Sequence, residues 1–329
     1  MSEEWDVAVV GGGAAGTMTA LRAVLYGLKT LWYLGDVDAR RRSRAPWVSE
    51  VQDMPGFAGI GHPLPAQQVA VQDWIQQQPT LADKLTVLKV SVQTLTRTPE
   101  GFELTHQEVR RRQPVGTPQS RTARAVVLTT GLLDLQPEVR GSIEPIFPYA
   151  NANQVLYCLR SDGHRVIGHE TGVIGHTAQA VETLQRLHRR YQPPRLSLLT
   201  HGQKLMASET QQRWLETQGI PVYASPLAGF EGVARKDGLQ AVLLEDGTRL
   251  ACTRLVVALG VRYHHGLAVQ VGAALDAEGA VLTDEHGESS VPQLFVAGDL
   301  RSGLRQQIYA GWDSAVAAVE RIEERFKGV

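Results

Sequence analysis

The stretch WDVAVVGGGAAG, residues 5–16, decides the fold of this chain. A short, largely apolar strand pattern leads directly into clustered glycines, and a helical pattern follows from Ala14 to Tyr26. In a dinucleotide-binding turn the first glycine permits the turn, the second admits a pyrophosphate and the third packs helix on strand. The helix N-terminus then offers N–H groups to phosphate. The spacing predicts this role for Gly11, Gly13, Ala14, Ala15 and Gly16. An ordinary glycine-rich turn is the alternative.

A second unit of similar pattern begins much further along the chain. The run Gly172-Val173-Ile174-Gly175 leads into a helical stretch from Ala178 to His188, and a strand pattern at Leu196–Leu199 follows the Pro193-Pro194 break. Two such units predict an α/β protein with two Rossmann-like domains of three layers each, ββα and βαβ. We expect residues 1–132 and 261–329 to form a discontinuous first domain, with residues 133–260 inserted as the second.

Polar and apolar patterns between the two units predict further strands. Leu85–Leu95 and Gly101–Glu108 are typical of a hairpin, and Ala125–Leu128 is an apolar strand. The Arg-rich, polar segment Arg110–Arg124 between them indicates an exposed turn.

Length and charge restrict the classes of function. The chain has 329 residues and a formal net charge of −1, so two domains are expected and no general affinity for nucleic acid or membrane is implied. No apolar run approaches the ~18 residues of a membrane-spanning helix. The acidic start, Met1–Glu4, is unlike a signal peptide, so a cytoplasmic location is expected. The two cysteines, Cys158 and Cys252, form neither a disulfide framework nor a metal cluster, and the histidines lack ligand spacing, so we expect no metal site.

Four distal motifs together resemble the low-molecular-weight thioredoxin reductases. Their order and spacing match that family across nearly the whole chain. The segments, with the family patterns, are Thr129-Thr130-Gly131 (A-T-G), Tyr157–Gly163 (Y-C-A-x-C-D-G), Phe295–Asp299 (the second FAD motif) and Arg305-Gln306-Gln307 (R-Q-A).

The resemblance implies FAD as cofactor and a homodimer as assembly. It places the cofactor near Thr130, Gly131 and Gly298, and it has Asp299 bind a ribityl hydroxyl. Backbone N–H groups of Arg305, Gln306 and Gln307 would face the pyrimidine edge of the flavin and stabilise negative charge there. The acid expected after the second strand is displaced to Asp36, which is predicted either to bind the ribose or to be a solvated turn residue. The family's redox centre corresponds to Cys158, Ser161 and Asp162.

The redox centre departs from the family pattern. Ser161 stands in place of the second cysteine of C-x-x-C, and a hydroxyl cannot take part in thiol–disulfide exchange. Asp162, the family's proton donor, is retained. Two explanations are open: natural loss of dithiol chemistry, which the other departures favour, or a serine introduced into a C-x-x-C protein.

The nicotinamide site departs further. Thr177 replaces the glycine that lets a pyrophosphate approach, and Thr200–Met206 lacks the arginines that clamp a 2′-phosphate. The cluster Arg40–Arg44 replaces a Gly-Gly-Gln segment and is predicted to contact phosphate, to dock an acidic partner or simply to be a solvated loop. Trp312 replaces a small residue, with helix core favoured over contact with the flavin.

These observations predict an FAD-dependent oxidoreductase, similar to thioredoxin reductase, that is not driven by NADPH. Its electrons would come from an acidic redox protein such as ferredoxin or from a small reductant. One alternative is a ferredoxin- or flavin-dependent disulfide reductase carrying a Cys-to-Ser change. Another is a non-catalytic flavoprotein or redox sensor.

Overall fold

The computed structural model describes residues 4–110 and 113–328, and the chain divides into two compact units. The first unit comprises Met1–Leu133 and Arg262–Val329, and the second comprises Asp134–Val261. The strands are β1 Glu4–Val10, β2 Thr30–Tyr33, β3 Leu85–Leu88, β4 Ser91–Thr98, β5 Gly101–Arg110, β6 Gln113–Leu128, β7 Leu132–Asp134, β8 Val155–Leu156, β9 Thr171–Ile174, β10 Leu196–Leu199, β11 Val222–Tyr223, β12 Leu227–Glu231, β13 Ala241–Leu244, β14 Arg249–Ala251, β15 Arg254–Val257, β16 Val261–Tyr263 and β17 Leu294–Val296. The helices are α1 Ala14–Leu25, α2 Val37–Arg41, α3 Pro63–Gln76, α4 Phe147–Ala150, α5 Leu159–Asp162, α6 Ala178–Arg190, α7 Glu209–Thr217, α8 Gly266–Gln270 and α9 Ile308–Lys327.

The first unit is built on a mixed sheet in the order β3-β2-β1-β6-β5-β4, with β17 also paired to β6. Strands β3, β2, β1, β6 and β17 run parallel, whereas β5 pairs antiparallel with both β6 and β4. The strand order reverses between β1 and β6. The carboxyl ends of these two strands therefore define the crevice where α/β sheets of this kind bind ligands.

Alternation along β1 sends its side chains to two different layers. Val7 and Val9 pack against helices, whereas Ala8 and Val10 face the β4–β5 side together with Phe102. This is the period of two expected when both faces of a strand are covered. The three-layer ββα organisation predicted from the sequence is confirmed.

The Arg-rich segment differs from the predicted exposed turn. Residues 113–124 belong to the long strand β6, which pairs with β5 from Arg110↔Gln113 to Phe102↔Ala123. Residues 111 and 112 lie outside the described part of the chain. The side chains of residues 113–120 are exposed, so this half of β6 shows no alternation of buried and exposed positions for a pattern to detect.

The second unit has a fully parallel sheet in the order β11-β10-β9-β15-β8 and a separate antiparallel sheet β12-β13-β14. Val173 on β9 packs with the α6 side chains, while its neighbour Ile174 packs with the antiparallel sheet. Both faces of the parallel sheet are thus buried, and its strand order reverses between β9 and β15. The second unit therefore repeats the crevice of the first at the end of β9.

A bidentate ion pair anchors the segment that leads into β17. Both terminal nitrogens of Arg325, in the last turn of α9, donate to the carboxylate oxygens of Glu288 at 2.5 Å. The same carboxylate accepts from the backbone N–H of Gln293. Since β17 ends immediately before Gly298 and Asp299, this pair helps to hold the second predicted cofactor motif in place.

Among residues 4–110 and 113–328, none of the helices has the length and apolar character that a bilayer crossing requires.

Candidate functional site

Of the three motif glycines in the loop after β1, Gly13 borders an open space, whereas Gly11 and Gly16 make tight contacts. A Cβ at Gly11 would overlap the carbonyl oxygen of Thr129. A Cβ at Gly16 would overlap the carbonyl oxygen of Gly11. At Gly13, by contrast, the nearest heavy atom such a Cβ would meet among the described residues is the Ala45 Cβ, at 3.9 Å. Gly11 and Gly16 are therefore needed for packing, whereas the space at Gly13 is available to a ligand.

The open space lies at the N-terminus of α1. Gly13 is the N-cap residue, with φ −80° and ψ −168°, and the helix starts at Ala14 and Ala15. A side chain is sterically compatible with this extended backbone, so glycine is not required there by conformation. The N-terminal N–H groups and the positive end of the helix dipole suit an anionic group such as pyrophosphate.

The second predicted motif packs directly against this helix. Gly298 has φ +78°, and a Cβ there would lie 2.8 Å from the Cβ of Ala15. Its N–H donates to the Ser314 hydroxyl, which in turn donates to the Gly311 carbonyl of α9. The structure therefore brings Asp299 to the N-terminal end of α1, although Ala15 and Gly298 are 283 positions apart in the sequence.

Three side chains meet around Asp299. Arg44 Nη1 donates to Asp299 Oδ2 at 3.0 Å, and Arg44 Nη2 donates to Gln306 Oε1 at 3.4 Å. Gln306 Nε2 donates to the Tyr263 hydroxyl at 3.2 Å. Gln307 is the N-cap of α9, and the side chain of Arg305, two residues earlier, is exposed. The predicted residues Asp299, Arg305, Gln306 and Gln307 thus lie in one region of the first unit, at the start of α9 and the end of β17.

The Thr129–Gly131 segment closes the same crevice from the end of β6. The Thr129 hydroxyl donates to the Val10 carbonyl, and the Thr130 hydroxyl donates to that of His264. Gly131 has φ +63°, and its carbonyl accepts from the backbone N–H of His264. Thr130 and Gly131 therefore follow the strand next to β1, as the sheet order requires.

Asp36 has a structural role at the start of α2. Its Oδ1 accepts from the backbone N–H of Ala39 at 2.7 Å, so Asp36 is the N-cap of the short helix α2. One carboxylate oxygen is therefore used by the backbone. A ribose contact by Asp36 stays a prediction.

Trp312 packs with Phe57 at a ring-centroid distance of 5.9 Å, in the cluster formed by Val51, Met54, Phe57 and Leu64. This packing supports the helix-core interpretation. Sequence reasoning missed the partnership of Arg44 with Asp299 and the buried amide of Gln68 beside Gly12. Both contacts join segments distant in sequence, so no local pattern signals them.

The loop after β9 has the same backbone as the first glycine loop but a different side chain. Thr177 is the N-cap of α6, with φ −106° and ψ 171°, close to the values at Gly13. A Cβ at Gly175 would lie 2.5 Å from the Ala258 carbonyl oxygen, which matches the tight contact at Gly11. The two loops therefore differ at the position that a phosphate would approach, where the second carries a β-branched side chain.

The segment after β10, residues 200–206, contacts this loop and contains no arginine that could bind a 2′-phosphate. The backbone N–H of Met206 donates to the His176 carbonyl at 2.6 Å, and Met206 itself is 59% exposed. His201 Nδ1 accepts from the backbone N–H of Leu227, and burial lowers the pKa of His201, so its imidazole is neutral at pH 7. Lys204 is exposed. The neutral His201 therefore adds no positive charge beside this loop.

Cys158, Ser161 and Asp162 form one short turn in the second unit. Cys158 is the N-cap of α5, and the Ser161 hydroxyl lies 3.6 Å from the Cys158 sulfur. Arg165 Nε lies 3.8 Å from Asp162 Oδ1. The structure thus brings the three predicted redox residues together and adds a cation that the sequence did not indicate.

The environment of Cys252 differs from that of the Cys158 turn. It is buried, its thiol donates to the Arg254 carbonyl, and burial raises its pKa to about 12. A neutral, buried thiol is neither a nucleophile nor a ready disulfide partner.

The comparisons with known proteins agree with the geometry. The sequence profile of the pyridine nucleotide-disulphide oxidoreductase family matches residues 5–320. The thioredoxin reductase of Treponema pallidum (strain Nichols) is 26% identical over 325 residues, covering 97% of this chain and 96% of that protein. The solved structure of thioredoxin reductase from Streptococcus pyogenes has a TM-score of 0.79 at 18% identity, with 100% of each chain covered. The ferredoxin reductase component of chlorobenzene dioxygenase from Cupriavidus sp. (strain PS12) is 34% identical over 87 residues, 25% of this chain and 20% of that protein.

The chain belongs to the pyridine nucleotide-disulphide oxidoreductase family. Within it, the protein is a thioredoxin-reductase-like flavoprotein, and its cofactor is FAD. The predicted resemblance, fold class and cofactor are confirmed. The open space at Gly13, at a helix N-terminus, fits the pyrophosphate of this cofactor.

We expect Gly13→Val to abolish FAD retention without unfolding the protein. Its side chain would fill the space at the α1 N-terminus, yet it meets no backbone there. The ratio of FAD to protein after desalting should fall by about tenfold or more, while far-UV circular dichroism is unchanged. Thr177→Val places the same side chain at the equivalent position of the second unit and should retain FAD fully. Full FAD occupancy in folded Gly13→Val would show that the cofactor lies elsewhere.

We expect Ser161→Cys to form a disulfide with Cys158, because the Ser161 hydroxyl already lies 3.6 Å from that sulfur. After air oxidation, thiol titration in denaturant should detect Cys252 alone of the three cysteines, since the natural chain has two. The control Cys158→Ser/Ser161→Cys should titrate two thiols. Three reactive thiols in the folded single variant would mean that this turn no longer supports disulfide geometry.

Proposed function

We propose that this chain is an FAD-dependent oxidoreductase that does not take its electrons from NADPH. The observation that carries the proposal is the contrast between two equivalent N-cap positions. Gly13 leaves the α1 N-terminus open, whereas Thr177 occupies the same place at α6. One unit is therefore suited to a dinucleotide and the other is obstructed.

FAD is assigned in this proposal to the first domain, residues 1–132 and 261–329. Gly11, Gly13 and Gly16 would admit the pyrophosphate to the helix N-terminus, with the backbone of Ala14 and Ala15 supplying N–H groups. The remaining contacts would come from Asp36, Thr130, Gly131, Gly298, Asp299, Arg305, Gln306 and Gln307. When bound, the flavin supplies the redox chemistry, and the protein binds and orients it and sets the charge around it.

The second domain, residues 133–260, is proposed to be a degenerate nicotinamide domain. Thr177 obstructs the pyrophosphate position, and the exposed Met206 lies beside it through the Thr177–Met206 bridge. Neutral His201 supplies no charge for a 2′-phosphate. Loss of both the open loop and the cationic clamp removes the main attractions for NADPH.

Cys158, Ser161 and Asp162 are proposed to be the remnant of the redox centre. Cys158 retains a thiol at the start of α5, but the Ser161 hydroxyl cannot resolve a mixed disulfide. Arg165 Nε lies 3.8 Å from Asp162 Oδ1, so a cation stands beside the acid of this turn. A dithiol cycle is therefore not part of the proposed activity.

The electron donor is proposed to be an acidic redox protein such as ferredoxin. We define the basic face by three exposed arginines and an exposed tryptophan: Arg41, Arg42, Arg262 and Trp47. Trp47 Nε1 donates to the Arg41 carbonyl at 2.8 Å, and the ring of His264 contacts the Arg42 carbonyl at 2.6 Å. Burial lowers the pKa of His264, and the nearby positive charges of Arg262 and Arg42 lower it further.

The basic face thus combines concentrated positive charge with an aromatic surface, which suits an acidic partner. The partial match to a ferredoxin reductase component supports this choice. A homodimer in the cytoplasm completes the proposal.

NADPH at micromolar concentration should leave the absorption of the oxidised flavin unchanged under anaerobic conditions, whereas dithionite should bleach it fully. The variant Thr177→Gly/Met206→Arg should bind NADPH about tenfold more tightly by calorimetry, because it reopens the loop and adds a cation at an exposed position. The single variant Met206→Arg is the control for charge alone. Rapid reduction of the natural protein by NADPH would contradict the proposal.

Reversing the charge of the basic face should slow reduction by photoreduced ferredoxin. Arg41→Glu/Arg42→Glu should lower the second-order rate constant by about tenfold at low ionic strength, with the difference shrinking as salt is added. The control Arg186→Glu/Arg213→Glu makes the same change in net charge on exposed helices of the other unit and should have little effect. Equal slowing by both variants would rule out a specific docking face.

A further inference from the structure

Arg44 connects three segments that border the crevice of the first unit. Its side chain donates to Asp299 and to Gln306, and its backbone N–H donates to the Leu132 carbonyl at 3.2 Å. These partners come from the end of β17, the start of α9 and the segment after β6. A single residue from the loop after α2 therefore ties together the elements that the proposed function assigns to FAD.

The Arg44–Asp299 pair is partly shielded from solvent. The side chains of Arg44 and Asp299 are 27% and 23% exposed, and the nitrogen–oxygen distance is 3.0 Å. Charges shielded to this degree are screened less by salt than those on an open surface. The guanidinium therefore offsets the negative charge of Asp299 locally.

We propose that Arg44 sets the charge of the flavin site by neutralising Asp299. Without Arg44, the Asp299 carboxylate would lose this compensating charge beside Gln306, in the segment that faces the flavin in the proposed function. That carboxylate would oppose any gain of negative charge by the isoalloxazine. Arg44 acts through Asp299 and Gln306, and is therefore a positioning residue that makes the bound flavin easier to reduce.

This inference rests on FAD binding in the first domain, and it distinguishes Arg44 from the other arginines of its cluster. Arg41 and Arg42 belong to the exposed basic face. Arg44 pairs with Asp299 and therefore contributes to the cofactor site. The basic face that would bind the partner is formed in part by Arg41 and Arg42 instead. The cluster Arg40–Arg44 thus has two separable functions.

Sulfite affinity tests the proposal without turnover. Sulfite adds to oxidised flavin and leaves negative charge on the pyrimidine side of the ring, so its dissociation constant reports how well the site tolerates that charge. The FAD-loaded protein is titrated with sulfite, and bleaching of the flavin band is measured. We expect Arg44→Gln to raise the dissociation constant about tenfold, and Arg44→Lys to restore most of the affinity.

The sign of the change at Asp299 provides a second, independent test. Asp299→Asn removes the negative charge and keeps the Arg44 cation in place, so sulfite should bind more tightly than to the unaltered protein. A purely structural role for the pair predicts weaker binding in both variants. The control Arg321→Gln removes an exposed cation from α9 of the same unit and should leave the affinity unchanged.

The outcomes separate this inference from the proposed function. Protein that purifies without FAD would contradict the proposed function itself. An FAD-loaded Arg44→Gln protein with the sulfite affinity of Arg321→Gln would overturn the role of Arg44. If Arg44→Gln fails to retain FAD, the Asp299→Asn result decides, and unchanged or weaker sulfite binding there would overturn the proposal.

Discussion

The contact between the backbone at Gly16 and the carbonyl oxygen of Gly11 is the constraint on which the first unit depends. Any side chain at position 16 would overlap that oxygen, so α1 can lie directly on the end of β1 only with glycine there. The approach of Gly298 to Ala15 extends the same close packing to β17 and α9. Because these contacts bring strand ends and helix starts to one place, the site residues need no loop of their own to hold them.

The two units share one topology but differ at the position that a dinucleotide would approach. Both place a parallel strand before a turn and a helix, and both need a glycine where the strand ends, at Gly11 and Gly175. Packing within each unit therefore preserves the fold regardless of ligand. The N-cap position in the first unit is free of that packing constraint, so the residue at this position can differ between the units while the fold is kept.

The positions of the arginines also differ between the two units. The cationic clamp after β10 is absent, and arginines are concentrated instead in the loop that follows β2 and at Arg262. Some of these arginines are exposed, and Arg44 compensates a carboxylate in the crevice. At Arg165 a cation stands near the acid of the former redox turn. Together these positions are consistent with a flavoprotein whose electrons arrive through a partner rather than through a bound nicotinamide.

Local pattern by itself determined the two Rossmann-like units and the strands and helices around each glycine loop, and the resemblance to a known family identified the motifs at Thr129–Gly131 and Gly298–Gln307. These features are readable because glycine spacing, strand alternation and helix starts are properties of neighbouring residues. Pattern failed at residues 113–120, where an exposed hairpin strand has no buried face to mark it. Only the tertiary structure decided that Gly13 faces open space, that Asp36 caps α2 and that Arg44 pairs with Asp299. Those contacts depend on which distant segments meet at the end of β1. The packing of the sheet and helices decides this, because no short stretch of chain contains both partners of a long-range contact.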